Sequence, residues 1–301
     1  MLKREEGAEV EPVAYAPVLP LLLINGCSAI ATGFSTTVPT FNPADVLANV
    51  LRVLNGEAMQ TMTPWFRGFR GSVTPDGDGK WRVTGVAAQE AHVNTWVVTE
   101  LPPGVAFNKY AEWLQSDKSP ATLLENRCNE STAYFKVRFN DAVPSDPMAA
   151  LKLVDTVSSR NMYAFNAEGA VRKYDTPESI LEEWLPWRLA RYEERRTHLI
   201  AAAEEHAALL RNKRRFVAAV VAKQLVPQEY EEAALVKHLE TAGYDASSGS
   251  YDYLLSIQTR SFTRDRAERL EREANDAQRA ADAARATTAG DMWRADLEAL
   301  A

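Results

Sequence analysis

Apolar and polar positions alternate in several different ways before Thr176, which predicts a mixture of strands and helices in this part of the chain. The continuous apolar run Leu19–Ile24 has the length of a short buried strand. Asn42 followed by Pro43 is typical of a helix start, and the apolar stripe after it ends at Gly56, a residue type that often stops helices. We therefore expect a strand and then a helix in this segment.

Strand patterns dominate the middle of this region. Tyr134–Phe139 places apolar and basic residues at alternate positions, as a strand with one buried face requires. Two further strands are predicted over Trp81–Val86 and Val93–Thr99, which are rich in β-branched and aromatic residues. Pro75–Gly79 reads PDGDG, a sequence typical of a hairpin turn.

The chain after Thr176 is predicted to be almost entirely helical. Thr176 and Pro177 mark a helix start, and no Gly or Pro occurs over Trp187–Leu225. Apolar residues there recur every three or four positions in one narrow stripe, which favours pairing with a second helix, Thr263–Ala289. Between them lies a compact segment, Pro227–Phe262. The predicted fold class is α+β: a mixed α/β body, then a long antiparallel coiled-coil arm with a small helical tip.

The composition is that of a globular protein, since 46% of the 301 residues are hydrophobic and 25% are charged. Acidic residues outnumber basic ones by 41 to 34, which gives a net charge of −7. This balance does not favour a protein that binds DNA through its overall charge, because phosphate contacts need Lys and Arg. It still allows a basic face on an acidic molecule.

Two cysteines, Cys27 and Cys128, provide no disulfide framework and indicate a reducing compartment, nuclear or cytoplasmic. The charged N-terminus does not resemble a signal peptide, and Leu19–Ile24 is too short to span a membrane, so we expect no membrane partner. We also expect no bound metal, because the four histidines lack ligand spacing: His92, His198, His206 and His238.

A stretch of small residues follows the first apolar run, since Asn25–Gly33 reads NGCSAIATG. It predicts a loop that lets another backbone or a ligand approach closely. Ile30 is the single large apolar residue in it. An isolated aliphatic side chain of this kind suits a wedge between DNA base steps, although such a residue more often caps a hydrophobic core. The residues alone leave both interpretations open.

The stretch Leu19–Pro43, LPLLLINGCSAIATGFSTTVPTFNP, resembles the pattern LPxxLxNGxxGIxTGxSxxxPxxNP of the eukaryotic and viral type IIA DNA topoisomerases. The residues that agree are Leu19, Pro20, Asn25, Gly26, Ile30, Thr32, Gly33, Ser35, Pro39, Asn42 and Pro43. The sequence departs from the pattern at Ala29 and Ala31, where the family usually has Gly, and at Phe34, where Trp is common.

Further motifs agree in the family's order. PWFRGFRGSV at Pro64–Val73 resembles PWFRGWxGxI, and TELP at Thr99–Pro102 matches directly. NMYAFNAEGAVRKY at the start of Asn161–Trp184 resembles NMVAFDxxGxIxKY. YDYLLSIQTRSFTRDRAERL at Tyr251–Leu270 and DMWRADLEAL at Asp291–Leu300 resemble the patterns YxYLLxMxxxSLTxERxxxL and DxWxxDLxxF. The resemblance therefore covers almost the whole chain.

The resemblance implies a fragment or subunit of an ATP-dependent type IIA topoisomerase. This part binds and bends the gate duplex and forms the exit gate during double-strand passage. In these terms, residues 1–17 are a linker or remnant after a missing winged-helix domain. Residues 18–169 are the DNA-bending tower, and residues 170–301 are the coiled-coil arm and exit-gate dimerisation domain.

In the family the catalytic tyrosine lies on the winged-helix domain before the NG motif, so the resemblance leads us to expect that it lies outside this sequence. The resemblance also assigns the metal-binding and ATPase domains to a second chain or a missing segment. We therefore expect Mg²⁺ and ATP only there, no cofactor on this chain, and neither DNA cleavage nor ATP hydrolysis by this chain alone. The alternatives are a non-enzymatic DNA-architectural protein that retains the tower and coiled coil, and a truncated gene model.

The resemblance implies DNA-binding residues around Ile30, the bending residue. Those in the loop are Asn25, Gly26, Thr32, Gly33, Phe34 and Ser35. The expected phosphate-binding residues are Arg67, Lys152, Ser158, Ser159, Arg160 and Asn161. Two alternatives stay open: a salt-bridged aromatic cluster around Arg67, and a solvated loop over residues 152–161.

Two features resemble catalytic motifs. Tyr192 follows Arg191, as the nucleophilic tyrosine of the family follows an arginine, but it falls on the apolar stripe of the long helix. Asp76 and Asp78 resemble the family's acidic metal motif, but their spacing differs and PDGDG favours an exposed turn. We assign no catalytic residue and no metal ligand to this chain.

The tip of the arm is implied to form a homodimer through a two-fold contact between identical surfaces. Its expected contact residues are Tyr253, Leu254, Leu255, Ile257 and Phe262. Pro186 lies where the family has a continuous helix, so we expect it to kink or restart that helix.

Overall fold

The computed structural model describes residues 2–12, 14–90 and 94–300. Val93, the predicted start of one strand, and His92 lie outside the described residues. The chain divides into two compact units, residues 1–188 with 300–301 and residues 189–299. The domain boundaries implied by the resemblance, at 17/18 and 169/170, stay predictions.

The first unit combines short helices with small sheets, which confirms the prediction of a mixed α/β body. Its strands are β1 (Leu2–Glu5), β2 (Ala8–Pro12), β3 (Cys27–Ala31), β4 (Phe34–Val38), β5 (Ser72–Pro75), β6 (Lys80–Thr84), β7 (Val86–Gln89), β8 (Thr95–Glu100), β9 (Ala121–Asn126), β10 (Phe135–Phe139), β11 (Val154–Ser158), β12 (Met162–Phe165) and β13 (Val171–Tyr174). Its helices are α1 (Leu21–Asn25), α2 (Pro43–Leu54), α3 (Phe107–Leu114), α4 (Pro147–Ala150) and the start of α5 (Pro177–Val221).

These strands form two sheets and three hairpins, all antiparallel. The sheets have the strand orders β7-β8-β10-β9 and β11-β6-β5, and the hairpins are β1–β2, β3–β4 and β12–β13. The alternation predicted for β10 is confirmed, since Phe135, Val137 and Phe139 are buried whereas Arg138 is exposed. These three aromatic and aliphatic side chains belong to a hydrophobic core of the unit, with Leu151.

Local signals predicted helix α2 and the turn between β5 and β6 correctly. Asn42 Oδ1 accepts a hydrogen bond from Ala44 N at 3.0 Å, and Pro43 occupies the first turn of the helix. Val46 on its inner face has no exposed surface, and Gly56 follows the helix with φ of +77°. The PDGDG segment joins β5 to β6.

The prediction of a strand over Leu19–Ile24 is wrong, because Leu21–Asn25 forms the short helix α1. Pro20 precedes the helix, and its carbonyl accepts a hydrogen bond from Leu23 N at 3.1 Å. Leucine is a good helix former, and an apolar run this short does not distinguish helix from strand by its spacing. Gly26 ends the helix with φ of +66°.

The predicted loop over Asn25–Gly33 is mostly strand. β3 pairs with β4, and only Thr32 and Gly33 form the turn between them. Gly33 has φ of +81°, a conformation that glycine adopts at no steric cost. We call residues 27–38, which carry Ile30, the Ile30 hairpin.

The second unit is helical. It contains the rest of α5, followed by α6 (Glu232–Thr241), α7 (Asp252–Leu255), α8 (Arg264–Ala286) and α9 (Ala289–Glu298). The predicted restart of a helix at Pro186 is wrong, since α5 runs through this residue as one helix of 45 residues.

Ion pairs connect α5 to α8. Arg214 Nη2 lies 3.1 Å from Glu271 Oε1, and Arg285 Nε lies 2.6 Å from Glu204 Oε1. The two helices therefore run antiparallel here, because the later residue of α5 pairs with the earlier residue of α8. The apolar stripe predicted for α5 is only partly buried, since Leu199 is 43% exposed. The prediction that these helices form a long coiled-coil arm stays a prediction.

Candidate nucleic-acid interface

Ile30 lies near the turn of the Ile30 hairpin and is 91% exposed. It is paired with Ser35 across the hairpin, and the next pair, Ala31 with Phe34, borders the turn. The side chain does not cap a hydrophobic core, so this alternative from the sequence is wrong. An isoleucine left in water forgoes roughly 1.5–3 kcal/mol of burial free energy. Such a side chain is available to enter an apolar environment that a partner offers.

The Ile30 hairpin is bonded to β12 along β4. Thr36 Oγ1 donates a hydrogen bond to Tyr163 O at 2.8 Å and accepts one from Tyr163 N at 3.0 Å. Asn161 O accepts from Thr37 N at 2.8 Å, and Asn161 Nδ2 donates to Ser35 Oγ at 3.0 Å. The segment after β11 therefore holds the strand opposite Ile30.

Apolar side chains are exposed around this junction. Phe34 is 60% exposed, Phe165 74% and Val171 54%. Phe34 and Tyr163 meet edge to face with ring centroids 6.2 Å apart. These residues border a groove of about 490 Å³ that also contains Cys27. Sequence reasoning did not select Thr36, Tyr163 or Phe165. Their place at this junction depends on pairing between segments more than 120 residues apart.

Two loop residues predicted to bind DNA, Asn25 and Gly26, lie at the end of α1. Asn25 is exposed. A Cβ atom on Gly26 would lie 2.8 Å from Val38 O, closer than such atoms approach. Gly26 therefore lets β4 pass next to the helix end, which is a structural requirement independent of DNA.

The predicted phosphate-binding residues after β11 lie next to the turn between β5 and β6. Arg160 Nη2 is 3.0 Å from Asp78 Oδ2, and Arg160 Nε donates to Asp78 O at 2.7 Å. Ser159 is 2% exposed, and its amide donates to Gly79 O at 2.9 Å. Burial against the turn removes its hydroxyl from solvent, and the prediction that Ser159 binds a phosphate stays a prediction. Ser158 Oγ accepts a hydrogen bond from Arg160 N at 3.2 Å.

Lys152 and Arg67 are both exposed, with different surroundings. Lys152 has φ of +52°, and its Nζ lies 4.5 Å from the centre of the Trp113 ring. The neighbouring Arg70 pairs with Glu100 at 2.9 Å, whereas Arg67 has no ion-pair or hydrogen-bond partner in the described part of the chain. The alternative of a salt-bridged aromatic cluster thus fits Arg70 and not Arg67.

The tip between α5 and α8 has a hydrophobic core of its own. Leu254 has no exposed surface and belongs to this core, and the prediction that it faces a second copy stays a prediction. The other four predicted contact residues are half-buried and pack against the core: Tyr253, Leu255, Ile257 and Phe262. These four retain surface for a partner.

Tyr192 is buried within the second unit. Its hydroxyl donates to Asp296 Oδ2 at 2.8 Å, and its ring stacks on Trp293 with centroids 5.4 Å apart. This agrees with its interpretation as a packing residue. Among the residues that the structure describes, no three His, Cys, Asp or Glu side chains group as metal ligands would. Within the same residues, no helix has the length and apolar character needed to cross a bilayer.

Comparisons with known proteins identify the family. The model of the DNA gyrase/topoisomerase IV A-subunit family matches residues 2–298. This chain belongs to that family. The match confirms the resemblance to type IIA topoisomerases that the motifs indicated.

Individual relatives agree with this assignment. DNA topoisomerase 2 of Arabidopsis thaliana is 30% identical over 351 aligned residues, which cover 98% of this chain and 24% of the relative. The protein of the same name from Invertebrate iridescent virus 6 is 28% identical, over 95% of this chain and 26% of its own length. This chain thus spans about a quarter of the length of these two relatives.

A solved structure extends the comparison to the fold. The crystal structure of the Plasmodium falciparum topoisomerase II DNA-binding, cleavage and re-ligation domain matches with a TM-score of 0.80 and 28% identity. The match covers 99% of this chain and 45% of that one. These likenesses support a topoisomerase subunit or fragment and do not favour the alternative of a non-enzymatic architectural protein.

Proposed function

We propose that this chain binds and bends the gate duplex of a type IIA topoisomerase, with Ile30 as the residue that enters the base stack. The observation that carries the proposal is the 91% exposure of this isoleucine beside a two-residue turn. Apolar wedges that unstack one base step kink a duplex by roughly 20–90°. The unstacking energy of a few kcal/mol is offset when the bent duplex contacts more protein.

Phosphate contacts accompany the wedge in this proposal. Arg67, Lys152 and Arg160 are exposed cations of the first unit, and Ser158 offers a further donor. Contacts to phosphate position a duplex without reading its sequence. The chain would therefore act on duplexes of many sequences, despite its net charge of −7.

The second unit would supply the coiled-coil arm and the exit gate. The ion pairs between α5 and α8 support such an arm, and the half-buried apolar residues of the tip support a homodimer. A two-fold contact would place the same residues of each copy against one another.

The bending role is tested by fluorescence energy transfer between the two ends of a short duplex bound to this chain. Ile30→Ala should reduce the transfer to near the value of the free duplex, because the smaller side chain does not fill the unstacked step. Leu124→Ala is the matched control, since Leu124 is 42% exposed on β9. Equal bending by wild type and Ile30→Ala would overturn the proposal.

Catalysis in this proposal needs a second chain or a further segment with the tyrosine, the metal-binding domain and the ATPase. Mg²⁺ and ATP would bind there. Purified residues 1–301 should bind DNA and neither relax supercoiled plasmid nor hydrolyse ATP. Relaxation by this chain alone would refute this division of roles.

A further inference from the structure

We propose that Asn161 is a positioning residue for Ile30, an inference that rests on the bending role proposed above. Asn161 Nδ2 donates to Ser35 Oγ at 3.0 Å, and Ser35 is the residue paired with Ile30 across the hairpin. The side-chain amide of Asn161 thus acts on Ile30 through one intervening residue, Ser35. In this inference, Asn161 and Ser35 hold the hairpin rather than the duplex.

The hairpin needs such support because an isolated pair of strands is marginally stable in water. Every residue from Ser28 to Ser35 is exposed, so burial contributes little to its orientation. Its described hydrogen bonds to the rest of the unit come from Asn161 and Tyr163. Tyr163 makes its hydrogen bonds through its backbone and contacts Phe34 through its ring, whereas Asn161 contributes both a backbone carbonyl and a side chain.

The two bonds of Asn161 reach two positions of β4. Asn161 O accepts from Thr37 N at 2.8 Å, and the side chain holds Ser35 two residues earlier. One asparagine therefore fixes the strand at two points, through the backbone of Thr37 and through the side chain of Ser35. This restricts rotation of the hairpin about its own axis, and the direction of the Ile30 side chain depends on that rotation.

The first test needs no DNA. Hydrogen exchange of the peptide covering residues 27–38 should be about fivefold faster in Asn161→Ala, the factor that corresponds to one ordinary hydrogen bond. Exchange in β8 and β10 should stay unchanged. Asn129→Ala is the matched control, because Asn129 Oδ1 accepts from Thr132 N in a different loop.

A mutant cycle isolates the side-chain bond. Ser35→Ala should accelerate exchange as Asn161→Ala does, and the double variant should be no faster than either single variant. Ser35→Thr keeps the hydroxyl, so its hydrogen exchange should proceed at the wild-type rate. Additive effects in the double variant, or unchanged exchange in Asn161→Ala, would overturn the inference.

The second test measures bending with the end-labelled duplex. Asn161→Ala should reduce energy transfer, and Ser35→Thr should retain it, at concentrations where all variants are saturated with duplex. Normal bending by an Asn161→Ala protein whose hairpin exchanges faster would also overturn the inference. If Ile30→Ala bends the duplex normally, the bending role fails by itself, and exchange still decides whether Asn161 holds the hairpin.

Discussion

Arg160 closes over the turn that contains Asp78, with one guanidinium nitrogen 3.0 Å from the carboxylate and another 2.7 Å from the backbone carbonyl. The pair is open to solvent, since the side chains of Arg160 and Asp78 are 52% and 88% exposed. Exposed ion pairs are worth about 0–1 kcal/mol, whereas arginine binds phosphate through two parallel, charge-assisted bonds. We therefore predict that a DNA phosphate replaces Asp78 as the partner of Arg160.

Asp78→Asn should tighten DNA binding by up to about fivefold, because the competing carboxylate is worth at most ~1 kcal/mol. The measurement is fluorescence anisotropy of a labelled duplex over a range of salt concentrations. Asp76→Asn removes the same charge from the same turn without affecting the Arg160 pair, so it should have a smaller effect. The same comparison is made in a protein that lacks the arginine. If Asp78→Asn tightens DNA binding equally in the Arg160→Ala background, the loss of negative charge explains the effect and Arg160 does not.

Features set by neighbouring residues could be predicted from the sequence. The Asn42–Pro43 start of α2, the alternation of β10 and the turn between β5 and β6 are all as expected. In each, the deciding interactions span a few residues, such as the bond from Ala44 N to Asn42 Oδ1. The signal is therefore complete within the local sequence.

Features set by distant residues could not be predicted. The burial of Ser159 depends on Gly79, which lies 80 residues earlier, and the orientation of the Ile30 hairpin depends on Asn161. The short run Leu19–Ile24 has too few positions to separate helix from strand by their spacing. An isolated isoleucine carries no physical signal of exposure, so the resemblance to a family, rather than residue chemistry, selected Ile30.

Arg67→Ala should weaken duplex binding and reduce the slope of log affinity against log salt by about 0.9, the value for one phosphate neutralised by the protein. Arg67 is suited to this role because no described residue pairs with it. Arg70→Ala is the control, since Arg70 is already paired with Glu100 at 2.9 Å. The prediction fails if both variants change the salt slope equally.

Leu254→Ala and Leu255→Ala should affect the tip differently. Leu254 is fully buried, so its truncation should cost about 2–5 kcal/mol of unfolding free energy, measured by urea denaturation. Leu255 is half-buried, so its truncation should chiefly weaken the dimer. Each ~1.4 kcal/mol of association free energy that the side chain supplies corresponds to about a tenfold change in the dimer dissociation constant. Sedimentation equilibrium measures this second effect. A Leu255→Ala protein with wild-type dimer affinity would contradict the proposed dimer surface.

Alkaline pH should destabilise the first unit through Tyr174. Burial, a hydrogen bond to Glu183 and the charge of that carboxylate together raise the pKa of this tyrosine from 10.0 to about 12. Because the folded pKa lies above the unfolded one, the stabilisation is complete below pH 10 and is lost as the pH rises toward 12. The test compares urea unfolding of wild type and Tyr174→Phe across this range. Their difference in unfolding free energy should be constant below pH 10. Above pH 10 the wild type should lose stability relative to Tyr174→Phe. A difference that does not change with pH would show that Tyr174 ionises equally in the folded and unfolded states.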